Sequence, residues 1–152
     1  MKLISHRGNI NGTNPIEENR PKYIENAISM GFDVEIDIRY DIKTSTLWLG
    51  HDEPQYMITW WWLAGKSSNL WIHCKDITTF HEFSTNTSEY NYFWHQNDDY
   101  TLTSKNNIWS YPGKIYTNNT VIVMPELDNR NWDTLKSANC YGICTDYPEK
   151  LK

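Results

Sequence analysis

Two histidines, a pair of carboxylates two residues apart, an arginine and a lysine stand at the ends of short apolar runs in this 152-residue chain. Glu35 and Asp37 share one side of any strand that carries them, because side chains alternate with a period of two. Val34, Ile36 and Ile38 then take the opposite side. Two carboxylates aimed into a protein interior are too costly to leave unpaired. A hard divalent cation with oxygen ligands is one partner; a structural ion pair with Arg7, Arg39 or Lys75 is the other. His6 closes the first apolar run and His51 the third. Histidine titrates near neutrality and passes protons in either direction. Phosphodiester cleavage needs one group to deprotonate the attacking oxygen and a second to protonate the leaving alkoxide, and His6 and His51 suit those tasks. Either one alone could equally be a hydrogen-bonded core histidine. Arg7 offers a planar fork for phosphate oxygens. Lys75, two after His73, shares its side of the strand and could stabilise a phosphorane-like transition state. The plain alternative for both cations is a surface charge. His95 and Glu126 also end apolar runs and are expected to support the site rather than do its chemistry.

The elements that would position these groups are legible as apolar runs of strand length near 2–6, 32–38, 46–50, 69–74, 91–95, 107–110, 120–124 and 140–144, many rich in Ile, Val, Trp, Tyr and Phe. Helical segments are expected between most of them. The clearest runs from Pro15 to Met30, with Ile16, Tyr23, Ile24, Ala27 and Ile28 on one stripe and Gly31 as the stop. Weaker ones lie near 55–65, 77–88, 98–106 and 129–138. The gap from Asp41 to Thr46 is too short for a helix and predicts a tight turn. Eight strands alternating with helices predict a single α/β domain over 1–152, a minimal TIM-type (β/α)8 barrel with shortened or missing helices and its chemistry at the strand C-termini. Such barrels usually need about 200 residues or more, so several helices must shrink to loops. An open or partial α/β sheet is the alternative.

Composition bounds the partners. Fourteen Lys and Arg against nineteen Asp and Glu leave a net charge of −5, and mean hydropathy is −0.70. An acidic chain of this kind lacks the basic surface that nucleic acid requires, so none is expected as a partner. No apolar run reaches membrane-spanning length and the start does not read as a signal peptide. Cys74, Cys140 and Cys144 are odd in number and lack zinc spacing, which fits a reducing cytoplasm. Eight Trp and ten Tyr can supply burial that a short chain otherwise lacks. Trp60-Trp61-Trp62 could be a ligand platform, or serve packing or association.

The ordered fragments His6-Arg7-Gly8, Glu18-Asn19, Glu35-x-Asp37, His51-Asp52 and Thr145-Asp146-Tyr147-Pro148 together resemble the glycerophosphodiester phosphodiesterase family. The resemblance implies a TIM-type barrel acting in lipid metabolism on a small phosphodiester, which it hydrolyses to a phosphomonoester and an alcohol. His6 and His51 would be its acid/base pair, and Arg7 and Lys75 its phosphate contacts. Glu35 and Asp37 would hold one divalent metal ion, Mg2+ or Ca2+, joined by His73 and Glu18. His73 stands where the family carries a third carboxylate, and an imidazole there would also admit Mn2+ or Zn2+. Arg20 replaces a family threonine, and the family's insertion after the third strand is reduced to 52–65. Trimmed helices would bare apolar outer strands and favour a homo-oligomer. Two neighbouring activities share these parts: a non-catalytic phosphate or phospho-sugar binding module, and a phospholipase C/D-type enzyme that forms a cyclic phosphate.

Overall fold

The computed structural model describes residues 1–87 and 89–152; Ser88, at the end of the helix expected over 77–88, lies outside the described residues. In chain order the elements are β1 (Lys2–His6), α1 (Pro21–Ser29), β2 (Asp33–Asp41), β3 (Thr46–Leu49), β4 (Tyr56–Ile58), α2 (Trp60–Ala64), β5 (Leu70–Cys74), α3 (Ile77–Asn86), β6 (Asn91–Phe93), β7 (Tyr100–Leu102), β8 (Ile108–Ser110), β9 (Thr120–Val123), α4 (Trp132–Lys136) and β10 (Gly142–Thr145). Among the described residues no helix is long and apolar enough to cross a membrane.

All ten strands belong to one sheet. Seven run parallel in the order β6-β5-β2-β1-β10-β9-β8. The β3–β4 hairpin adds antiparallel to the far half of β2, and β7 adds antiparallel to β8. The result is a curled mixed sheet, a half-barrel, and not the expected (β/α)8 barrel with alternating helices. The reason lies in the connections. A parallel crossover needs a dozen or more residues, and the short gap between Asp41 and Thr46 permits only the antiparallel hairpin. The segment 98–106, expected as a helix, forms β7 instead, because Tyr100-Thr101-Leu102 prefers a pleated surface. β4 also lies inside a segment expected to be helical.

The helices that do form have local causes. Pro21 opens α1, where a missing amide costs nothing, and holds Arg20 extended before it. Residues 15–20 are therefore not helical, and Ile16 is exposed instead of joining the stripe. Ile24 and Ala27 are fully buried. Gly31, at φ +88°, provides the left-handed stop while the Phe32 amide returns to the Ala27 carbonyl at 3.2 Å. Thr59 caps α2 and Asp76 caps α3, each accepting from an amide three residues on. Trp60 packs on Phe83 at 5.5 Å and Trp62 donates to Glu25, whereas Trp61 is 87 % exposed.

The sheet has two apolar faces. Val34, Ile36, Ile38 and Ile72 point outward beneath Ile24, Leu63 and Phe83. Ile4, Trp71, Phe93, Trp109, Val121 and Cys144 fill the concave side. Trp109 lies 4.5 Å from Phe93 and 5.9 Å from Trp71, ring centre to ring centre. This plug leaves the C-terminal ends of the parallel strands for polar groups.

Candidate active site

Strand register assembles the site. β1 and β2 set His6 opposite Glu35, and β2 and β5 set Asp37 opposite His73. Partners in register project to the same face, so Glu35, Asp37, His6 and His73 converge on the concave side. One ligand atom from each of Glu35, Asp37 and His73 falls within 4.8 Å of the others. Asp37 is fully buried and Glu35 nearly so.

The carboxylates are held but not satisfied. Asn19 donates to Asp37 Oδ2 at 2.9 Å and accepts from the Asp37 amide. Arg7 Nε approaches the same oxygen at 2.9 Å, His73 Nδ1 lies 3.1 Å and Lys75 Nζ 3.3 Å from Asp37 Oδ1. These three are ion-pair neighbours without hydrogen-bond alignment: Asp37 Oδ1, Glu35 Oε2 and Arg7 Nε are buried with no aligned partner among the described residues. Buried polar atoms normally find partners. Burial would raise Asp37, but His73, Arg7 and Lys75 override it and hold the carboxyl well below the usual range. Burial, followed by the Asp37 charge, pushes Glu35 up. A cation on Glu35 Oε2 and Asp37 Oδ1 would relieve the repulsion between the carboxylates and give those two oxygens a partner.

His6 is oriented from behind. Asp146 Oδ1 takes its Nδ1 at 2.8 Å, leaving Nε2 facing Glu35 Oε2 at 3.9 Å. Burial opposes protonation of His6, but the Asp146 bond and the Glu35 charge outweigh it and raise its pKa. Asp146 is itself fixed by Asn9 at 2.8 Å, Thr13 at 2.9 Å and the Glu126 carboxylate, which accepts from its amide and from Thr145. Burial works against ionisation of Asp146, but the His6 bond and these donors hold it low. His51 is more open, at 40 % side-chain exposure, with Nδ1 2.7 Å from Asp52. Burial and the Arg7 and Lys75 charges lower its pKa. Its loop is tied down by Arg39, which donates to the His51 and Asp52 carbonyls at 2.8 and 2.9 Å.

His6, Arg7, Glu35, His51, His73 and Lys75 all line one cavity of about 470 Å³. No family model, curated protein or solved structure significantly matches this chain. The arrangement is therefore read from its own geometry. Asp37 sits behind these residues as the charged floor. Glu18 stands apart from the Glu35–Asp37–His73 group, its oxygens bonded to Arg7 at 3.0 Å and Asn9 at 2.9 Å. Arg7 is thus braced between Glu18 and Asp37, at a left-handed φ of +54°. His95 stacks on His73 at 4.8 Å, and burial with the His73 and Lys75 charges lowers its pKa to about 4. The tryptophan triplet lines neither this cavity nor its neighbour.

The site builders that the residue pattern did not single out are Asn9, Thr13 and the orienting role of Asp146. Asp146 carried a usable signal: once β1 and β10 pair Ser5 with Thr145, the next residues, His6 and Asp146, must be neighbours.

Proposed function

We propose that the chain is a metal-dependent phosphodiesterase of the glycerophosphodiester type. The observation that supports this best is the buried Glu35–Asp37–His73 group, whose carboxylate oxygens Glu35 Oε2 and Asp37 Oδ1 have no aligned hydrogen-bond partner among the described residues, at the floor of the cavity that Glu35 and His73 share with His6 and His51. The two carboxylates of this donor set suit Mg2+ or Ca2+, and its imidazole also admits Mn2+ or Zn2+. A divalent cation held by Glu35, Asp37 and His73 would neutralise phosphate charge and polarise the phosphorus–oxygen bonds. Lys75 and the braced Arg7 add fixed positive charge beside the phosphate. One of His6 and His51 takes the proton of the attacking water as its oxygen bonds to phosphorus. The other gives a proton to the departing alkoxide as the phosphorus–oxygen ester bond breaks. The products are a phosphomonoester and an alcohol. Asp146 holds the His6 ring with Nε2 toward the cavity, and Glu18 holds Arg7 in place.

The test is hydrolysis of bis(p-nitrophenyl) phosphate and glycerophosphodiesters after chelation, with Mg2+, Ca2+, Mn2+ or Zn2+ restored singly, for wild type and His6→Ala. The expected result is metal-dependent turnover that falls by roughly 10²-fold or more in the variant. Undiminished turnover in His6→Ala, or a folded wild type inert with every metal, would overturn the reading. Phosphorus NMR of the products separates hydrolysis from cyclic phosphate formation.

A further inference from the structure

The cavity at the strand ends has two unlike halves. One holds His6, Glu35, His73 and Lys75; the other is walled by Trp109, Tyr111, Met124 and Leu127, with His95 at the junction. The second half is built, not incidental. Trp109 is nearly buried and packs on Phe93 at 4.5 Å, and Tyr111 stands edge-on to His95 at 5.9 Å. Met124 is held against the apolar plug from a left-handed backbone at φ +46°, by its amide's 2.7 Å bond to the Cys144 carbonyl and against the extended preference that the following Pro125 imposes. A β-carbon-bearing residue adopts that conformation only when the surroundings enforce it.

We infer that this wall is a subsite for one ester arm of the substrate and that it selects a flat, weakly polar ring, aryl or nucleobase, over a glycerol chain. The inference rests on the phosphodiesterase reading of the same cavity. Aromatic faces gain from stacking on a ring, whereas glycerol hydroxyls pressed against an apolar wall lose hydrogen bonds to water. The neighbouring cavity shares His6, Arg7, His51, Met124 and Leu127 but lacks Trp109 and Tyr111, so a ring would not find its aromatic faces there. Its walls carry Thr13, Asp52, Glu53 and Gln55, which suit water and hydroxyls. The phosphate would lie between the two, with the ring arm on the Tyr111 side.

The experiment is calorimetric binding of product-like monoesters to the metal-loaded protein: methyl phosphate, glycerol 3-phosphate, phenyl phosphate and adenosine 5′-monophosphate, with wild type and Tyr111→Ala. Tyr111 is half exposed, so the variant is expected to fold; Tyr111→Phe, which keeps the ring, is the companion. Phenyl phosphate should bind roughly tenfold tighter than methyl phosphate, about the effect of one well-seated ring contact. That advantage should shrink severalfold in Tyr111→Ala and persist in Tyr111→Phe. Comparison of phenyl phosphate with adenosine 5′-monophosphate tells a simple aryl arm from a nucleoside. Equal binding of methyl, glycerol and phenyl esters would overturn the ring subsite while leaving the phosphodiesterase reading intact. No binding of any monoester would overturn both.

Discussion

Glu35 and Asp37 carry opposite electrostatic assignments although they are two residues apart on one strand. Asp37, surrounded by His73, Arg7 and Lys75, is held low against its burial; Glu35 is pushed up by burial and then by the Asp37 charge it faces. The Glu35→Gln variant tests what that pair is for. In chelated protein the neutral amide removes the repulsion, so the melting temperature should equal or exceed that of wild type. With metal restored, wild type should gain stability by mass action, about 2.7 kcal/mol at a hundredfold excess over Kd, and Glu35→Gln should lose most of that gain. A full metal-induced rise in the variant would remove Glu35 from the ligand set. The His6–Asp146 pair makes a second prediction. The raised His6 contributes stability that is fully present below its unfolded pKa, about 6.5, and is lost as pH rises through its folded value. The lowered Asp146 contributes above about pH 4, and this is lost as pH falls through its folded value. The two contributions overlap between those limits. In urea unfolding of chelated protein, the deficit of Asp146→Asn relative to wild type should therefore be largest near pH 5.5. It should be of the order of 1.5–3 kcal/mol, as for a charge-assisted bond, and should diminish toward pH 9. A deficit that does not change with pH would deny the pair its ionic character.

At the scale of elements, β2 organises the molecule. Its odd-numbered side chains form a column of charge: Asp33 meets Lys2 at 2.9 Å, Glu35 and Asp37 form the site, and Arg39 ties down the His51 loop. That column was readable from alternation alone, and so were the strands of β-branched and aromatic residues. The helices expected across 98–106 and over 15–20 did not form, because pleated propensity won in one and Pro21 interrupted the other. Asn9 reaches the site from a loop where no periodicity announces direction; Asn19 and Glu126, which the sequence had marked, reach it from a turn and a short helical segment. Asn19 does so at φ +61°, a conformation asparagine tolerates. The loop after β3 makes the element-scale prediction. Gly50 lies at φ +148°, and a β-carbon there would stand 2.0 Å from the Glu53 carbonyl oxygen. Backbone has to move to admit it, and what moves is the turn presenting His51. Gly50→Ala should cost about 1–3 kcal/mol in stability and lower turnover further than that loss of folded protein explains. Full specific activity of the folded fraction would show that the turn's shape does not set the position of His51.

For the whole molecule, the absence of a regular helix layer makes sheet curvature the device that brings the site's two halves together. The Glu35–Asp37–His73 group comes from β2 and β5 with His6 beside it on β1, and the aromatic wall from β8 and the segments that follow β8 and β9. They face each other only because the sheet curls. Among the described residues no ladder pairs β6 with β7, and Ser104 bridges the seam instead. Its amide donates to the Tyr92 carbonyl at 2.8 Å, and its hydroxyl accepts from the Tyr92 amide and donates to the Tyr90 carbonyl, both at 3.0 Å. Thr101 adds a bond to the Trp94 carbonyl at 3.0 Å. Ser104→Ala removes both hydroxyl bonds and leaves the exposed Tyr92 amide to water, a loss of roughly 1 kcal/mol. Since β6 also carries Phe93 against Trp109, loosening this seam lets the aromatic wall drift from the ion site without unfolding the strands around Glu35. Hydrogen exchange should rise at Tyr92 and along β7 and stay low along β1, β2 and β5. Affinity for phenyl phosphate should fall more than affinity for methyl phosphate. Equal exchange across all strands would mean that the seam opens only with global unfolding, and that the curl is held by the apolar plug alone.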